Sequence, residues 1–357
     1  MAASRRGHAV TGAVLVAVVG LLVPARLGAA VRPAAFPLTR VRDVSLPGRA
    51  TRFDYQSIDE RSRRLYLAHL GDSTVVAVDL DRLAAVASVP GVTDVHGIIA
   101  APDLFRVFAT ATGANELVAI DPDSHRVVAR ERTGEFPDGV GYDPFHHVVA
   151  VSNKDAGSVT LFHAPALSVI ATIKLARETG NVVYDELRHV MLAAARPPEQ
   201  LVMIDPARDR VVHRLRLTGC RGAHGVAISP NRQEAFVACE DNARMVTVRL
   251  AAWKQIATST VGAQPDVLAV DPALERLYVA SESGVVTVFA TTSGAPRKLG
   301  QLRVDPHAHS VAVDLRTHRV FFPLQDVNGH PVLRVMRPSS LRLAPAAHAW
   351  GSHQGQA

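Results

Sequence analysis

The sequence predicts an all-β protein, a seven-bladed β-propeller built from four-stranded blades, and three observations predict it. First, a residue five positions before a turn recurs as Asp54, His96, Asp138, Gly180, His224, Asp266 and His309, at intervals of 42, 42, 42, 44, 42 and 43 residues. Second, short apolar runs ending in turn residues surround each of these positions, as in "DVHGIIAAP" (94–102), "FPDGVGYDP" (136–144), "GAHGVAISP" (222–230), "QPDVLAVDP" (264–272) and "HAHSVAVDL" (307–315). Third, 48% of residues are hydrophobic but only 5% aromatic, so the core must be filled largely by Val, Ala, Leu and Ile, a mixture rich in strand formers.

Each unit then reads as four strands in order. The innermost carries small residues ("GVAIS", "VLAVD", "SVAVD"), as expected where seven strands converge on one channel. A second run follows as "RLYLA" (64–68), "RLYVA" (276–280) or "RVFFP" (319–323), a third as "VVAVDL" (75–80), "LVAIDP" (117–122) or "LVMIDP" (201–206), and a fourth as "RVVARERTG" (126–134) or "RVVHRLRLTG" (210–219). Repeats starting near residues 52, 94, 136, 178, 222, 264 and 307 place the propeller over 31–338. The last unit has strands expected at 309–314, 319–324 and 331–337 but no clear fourth. The stretch "LTRVRDVSLPG" (38–48) is expected to supply it and close the ring, which removes open sheet edges; "SSLRLAP" (339–345) is the alternative. Residues 339–357 read as a disordered tail.

Residues 1–30 form a separate object. Arg5 and Arg6, the apolar run "AVTGAVLVAVVGLLV" (9–23) and small residues at 28–30 occur in the order of a secretory signal, with an uncleaved membrane anchor as the alternative. The run is short of the roughly 20 residues of a spanning helix, and "SRRGHAV" weakly resembles a twin-arginine signal. A periplasmic or secreted location follows, with no transmembrane domain in the mature chain. Loss of Arg5, Arg6 and Arg26 lowers the formal charge from +6 to +3, and no Lys/Arg block is interleaved with aromatics, so charge gives little support to nucleic-acid binding.

Equivalent inner-strand residues form a ring around the channel. His96, His224 and His309 lie on blades 2, 5 and 7, nearly evenly spread, and are the candidate ligands of one central metal ion. Counting ten residues past the turn places His69 and Cys239 on the same rim, and His307 lies two before His309, on its side if the strand extends that far. Asp54, Asp138 and Asp266 complete the hub-face set, although Asp at such positions more often caps a tight turn. Imidazoles with a thiolate suit Zn or Cu. Cys220 and Cys239, the only cysteines, fall toward one end of a hairpin, where a disulfide is open to them; if it forms, Cys239 is not a ligand.

The stretches "DPALERLYVASESGVVTVF" (271–289) and "DERSRRLYLAHLGDSTVVAVD" (59–79) resemble the YVTN-type repeat, and residues 38–338 are similar to an exported YncE-like seven-bladed propeller. The fourth unit, "GNVVYDELRHVMLAAA" (180–195), is a degenerate copy, and Arg249 and Phe289 replace the repeat's strand-end Asp. The resemblance implies the architecture rather than an activity; with the His and Asp ring it leads to the expectation of a binding protein, a monomer, with a small-molecule, protein or metal site at the hub face. It leaves two alternatives. One is a lactonase-like hydrolase using His and Asp at the channel mouth; the other is a scaffold for protein or nucleic acid, because some YncE-like proteins are associated with DNA. There is no GxSxG elbow, HExxH helix, P-loop or GxGxxG, so no motif names a reaction.

Overall fold

Alternating apolar runs cut by Asp-, Asn- and Gly-rich turns fold into seven four-stranded antiparallel sheets, six of them ordered from hub to rim as in the chain. The computed structural model describes residues 36–292 and 294–339. The expected export segment at 1–30, and all of the tail except Ser339, lie outside the described residues. No helix among the described residues is long and apolar enough to cross a membrane.

Blade 1 shows the pattern with strands Gln56–Asp59, Arg64–His69, Thr74–Asp79 and Ala84–Pro90. Its second and third strands are buried almost throughout, while the fourth alternates and meets solvent at the rim. Large aromatic side chains, including Tyr66, Phe108, Phe162, Phe236, Tyr278 and Phe321, are fully buried between the blades. The innermost strands keep small side chains around a channel of about 280 Å³, lined by Ile98, Val140, Val182, Val226, Leu268 and Val313 among others.

The seventh blade is assembled from both ends of the described chain. Its strands are Ala312–Val313, Val320–Val327, His330–Pro338 and, at the rim, Leu38–Ser45, which runs antiparallel to His330–Pro338 from Leu38 opposite Pro338 to Ser45 opposite Val332. Arg334 ties the seam by donating to both carboxylate oxygens of Asp43 at 3.0 and 2.9 Å. Blades 7 and 1 are also joined by Arg63, which donates to Asp314 Oδ1 at 2.8 Å and Oδ2 at 2.5 Å. The innermost strand of this blade is much shorter than the expected 309–314. The backbone around His309 turns toward blade 6, where its carbonyl accepts the Val267 N–H at 3.3 Å, so it does not pair with Val320–Val327.

Cys220 and Cys239 are joined in a disulfide, with Cα atoms 5.3 Å apart. The bridge ties the connection entering blade 5 to the end of that blade's second strand, next to Glu240. It closes a loop with a sequence separation of 19, for which constraint of the unfolded chain is worth about 3 kcal/mol. The double substitution Cys220→Ala/Cys239→Ala is therefore expected to lower unfolding stability by about that amount, read as a lower denaturant midpoint with a somewhat higher m-value, since the released unfolded chain exposes more surface. An unchanged midpoint would show that the bridge constrains little.

Candidate functional site: a buried carboxylate and imidazole cluster at the hub

The recurring ring residues owe their aim to a repeated backbone irregularity. In blades 2 to 6 the pairing of the first two strands slips by one residue at the ring position, as between Ala223 and Val226, which pair with Cys239 and Val237. Such bulges insert an extra residue and re-aim side chains. The residue after the ring position is Gly97, Gly139 or Gly225 in blades 2, 3 and 5, because a Cβ at Gly97 would meet the Asp138 carbonyl and one at Gly225 the Asp266 carbonyl. In blade 4 the ring position is itself glycine, since a Cβ at Gly180 would meet the His224 backbone at 2.5 Å.

Two residues before the ring position, the backbone is left-handed at Asp94, Phe136, Gly222, Gln264 and His307. This turn decides how each imidazole is held. The carbonyls of Asp94 and His307 point back at their own blade's histidine, so His96 Nδ1 lies 2.8 Å from Asp94 O and His309 Nδ1 lies 2.9 Å from His307 O. A carbonyl can only accept, so both rings carry their proton on Nδ1 and turn Nε2 toward the hub. His96 Nε2 lies 3.8 Å from Asp54 Oδ2. His309 Nε2 lies 3.9 Å from Asp54 Oδ1 and 3.9 Å from Asp266 Oδ2, and has no hydrogen-bond partner.

In blade 5 the Gly222 carbonyl accepts the Glu240 N–H at 2.9 Å and makes no bond to His224. His224 Nδ1 is buried without a partner, and Nε2 faces Asp266 Oδ1 at 3.3 Å, the Tyr55 hydroxyl at 3.3 Å, and Asp138 and Glu240 at 3.7 Å. Asp266 Oδ1 also lacks a hydrogen-bond partner despite its closeness to His224. Asp54, Asp266, His224 and His309 are all deeply buried, at 3%, 5%, 4% and 2% exposure.

The hub aspartates do not cap turns. On the opposite face the Asx turn is real, since Asp59 Oδ1 accepts the Arg61 and Ser62 N–H groups and Asp143 Oδ1 those of Phe145 and His146. Among the described residues, Asp54, Asp138 and Asp266 accept no backbone N–H, so their burial is answered by charge instead. Burial would raise the Asp54 carboxyl, yet His309, His96 and Arg52 pull it down to about 2. Asp138 is pushed up by burial, against the pull of His224. Burial works against the His224 imidazolium, but Glu240, Asp266 and Asp138 raise it to about 9; Asp54 and Asp266 likewise raise His309. Tyr55 is held well above its usual value by burial and by the surrounding carboxylates.

The expectation of three histidines around one ion is not what forms. Carboxylates stand between the rings, and the donor atoms that gather within 4.8 Å of one another belong to Asp54, Asp266 and His309, and to His224, Glu240 and Asp266. Three expected rim residues are placed elsewhere. His69 stacks on Phe53 at 4.0 Å and lies 3.0 Å from the Thr51 hydroxyl, Cys239 is in the disulfide, and His307 is exposed outside any strand, contributing its main-chain carbonyl. Side chains alternate along a strand, so position ten faces the blade interior and the next residue faces the hub. That next column reads Leu70, Thr112, Lys154, Arg196, Glu240 and Glu282, at intervals of 42, 42, 42, 44 and 42. It supplies a charged collar, in which Arg52 donates to Glu282 at 2.6 and 3.1 Å and Arg196 donates to Glu240 at 2.7 Å.

No protein-family model matches the chain, and no curated protein matches it. The fold has solved counterparts. One is a chain of hydrazine synthase from Kuenenia stuttgartiensis, with a TM-score of 0.70 at 13% identity, covering 80% of this chain and 95% of that one. The likeness is one of fold.

Proposed function

We propose that this protein is an exported, YncE-like propeller whose hub face binds a divalent transition-metal ion, with His309, Asp54 and Asp266 as ligands and His96 beside them. The observation that carries the reading is His309 Nε2, a buried nitrogen with no partner, aimed between two carboxylates while Nδ1–H is committed to the His307 carbonyl. A metal-binding imidazole is typically held in this way, its second nitrogen fixing tautomer and direction. With Cys239 bridged, the remaining donors are nitrogen and oxygen, a set that suits Zn²⁺ and gives copper(I) no soft ligand. The basic, apolar and small-residue order of 1–30 supports export, and a disulfide fits an oxidising compartment.

The test is equilibrium dialysis of chelator-stripped, signal-free protein against Zn²⁺ and, separately, Cu²⁺. His309→Ala is expected to weaken Zn²⁺ binding by more than about 100-fold, beyond what an outer partner alone is worth. His307→Ala, which keeps the carbonyl, should stay within about 3-fold of wild type. Equal uptake by wild type and His309→Ala would sink the reading.

A further inference from the structure

We infer that the hub holds two divalent cations side by side, bridged by the carboxylate of Asp266; this rests on the hub being a metal site and specifies its nuclearity. The two oxygens of Asp266 face different neighbours. Oδ2 belongs with His309 and Asp54, whereas Oδ1 lies 3.3 Å from His224 Nε2 and belongs with Glu240. Asp266 is the one residue shared by both sets, and its Oδ1 is a buried acceptor with no hydrogen-bond partner, aimed into the second set. Ions held on opposite oxygens of one carboxylate have the roughly 3.5–4 Å spacing of two-metal centres.

The charge inventory points the same way. Asp54, Asp138, Asp266 and Glu240 crowd around His224 and His309, and the collar arginines are already engaged, Arg52 with Glu282 and Arg196 with Glu240. One dication satisfies His309 and Asp54 but leaves Asp266 Oδ1, which has no hydrogen-bond partner, facing only His224, while Glu240 keeps Arg196 as its partner. A second ion there uses His224 Nε2, Glu240 and Asp266 Oδ1 as nitrogen and oxygen donors, a set suited to Zn²⁺ or Mn²⁺. Such a pair takes an oxyanion as its ligand, a phosphate or carboxylate group spanning both ions. Lys154, whose ammonium lies over the Phe136 ring near Asp138, offers such a group a positive charge beside the hub.

The experiment is Zn²⁺ loading of the signal-free chain at defined free concentration, with bound metal counted by elemental analysis and the metal-to-metal distance read by X-ray absorption. At a free Zn²⁺ low enough to leave exposed surface carboxylates empty, wild type is expected to hold two ions, Glu240→Gln and Asp54→Asn one each, and Asp266→Asn neither. A Zn–Zn vector near 3.5–4 Å is expected in wild type and absent from Glu240→Gln. The wild-type absorption measurement does not depend on any variant folding. One hub ion in wild type, retained in Glu240→Gln and without a Zn–Zn vector, overturns the pair and leaves the mononuclear reading standing, with His224 as a fixed cation among the acids. No hub ion at all overturns both.

Discussion

Deleting residues 36–47 is expected to abolish the monomeric fold. Those residues supply the rim strand of blade 7, so removal strips the partner from Val332–Pro338 and leaves Arg334 without Asp43. They also bury Leu38, Val44 and Leu46, each worth about 1.5–3 kcal/mol. The sum of roughly 5 kcal/mol or more is comparable with the whole stability of an ordinary domain. A propeller opened there also exposes a bare strand edge, which recruits further chains. Size-exclusion chromatography should show aggregates, and thermal unfolding should lose its single sharp transition. Adding a peptide of residues 36–47 should restore part of the monomer by strand addition. A truncated chain that stays monomeric with the full-length melting temperature would mean that the seam carries little of the stability.

The second large effect is expected at the other contact across the seam. Arg63 grips Asp314 with two hydrogen bonds, and the Asp314 side chain is fully buried. Removing one member of a buried pair leaves the other charge unanswered, at a cost of about 3–5 kcal/mol. Because Arg63 keeps Glu60 at 2.8 Å and Asp81 at 3.4 Å, Asp314→Asn should fall at the low end of that range, whereas replacing both partners by apolar residues of similar volume should recover much of the loss. Burial opposes the Asp314 carboxylate, but Arg63, Thr317 and the Arg316 N–H hold it down at about 2. A carboxyl lowered on folding contributes stability that is fully present above its unfolded value near 4 and lost as pH falls through about 2. Wild type should therefore lose stability between roughly pH 4 and 2 more steeply than Asp314→Asn. Identical acid limbs for the two proteins would refute this account.

Much of the architecture was legible before any coordinates. A period near 42 and small residues in the innermost strand of the repeats pointed to a closed ring, with the orphan strand at 38–48 expected to sew it and 339–345 as the alternative; the ring forms, closed by Leu38–Ser45. The hub site was legible only in part. Asp54, His96, Asp138, His224, Asp266 and His309 do meet at the hub, because equivalence along a repeat becomes adjacency around an axis. Glu240 and Glu282 were missed through an error of one residue, which flips a strand side chain from hub to interior. Tyr55 and Arg52 gave no periodic signal, since neither residue type recurs in its column.

The sequence by itself determined what repeats: seven blades, the strands within each repeat, and which residue types ring the channel. Those follow from local periodicity, which needs no distances. Only the tertiary structure decided how the ring residues face one another. It set carboxylates between the histidines, left His309 Nε2 and Asp266 Oδ1 without partners, and moved His69 and Cys239 out of the hub. The physical reason is that these outcomes turn on bulges and on left-handed residues such as Asp94 and His307, whose carbonyls select which imidazole nitrogen is free. Both features recur with the blades, but no one residue type marks them in the sequence.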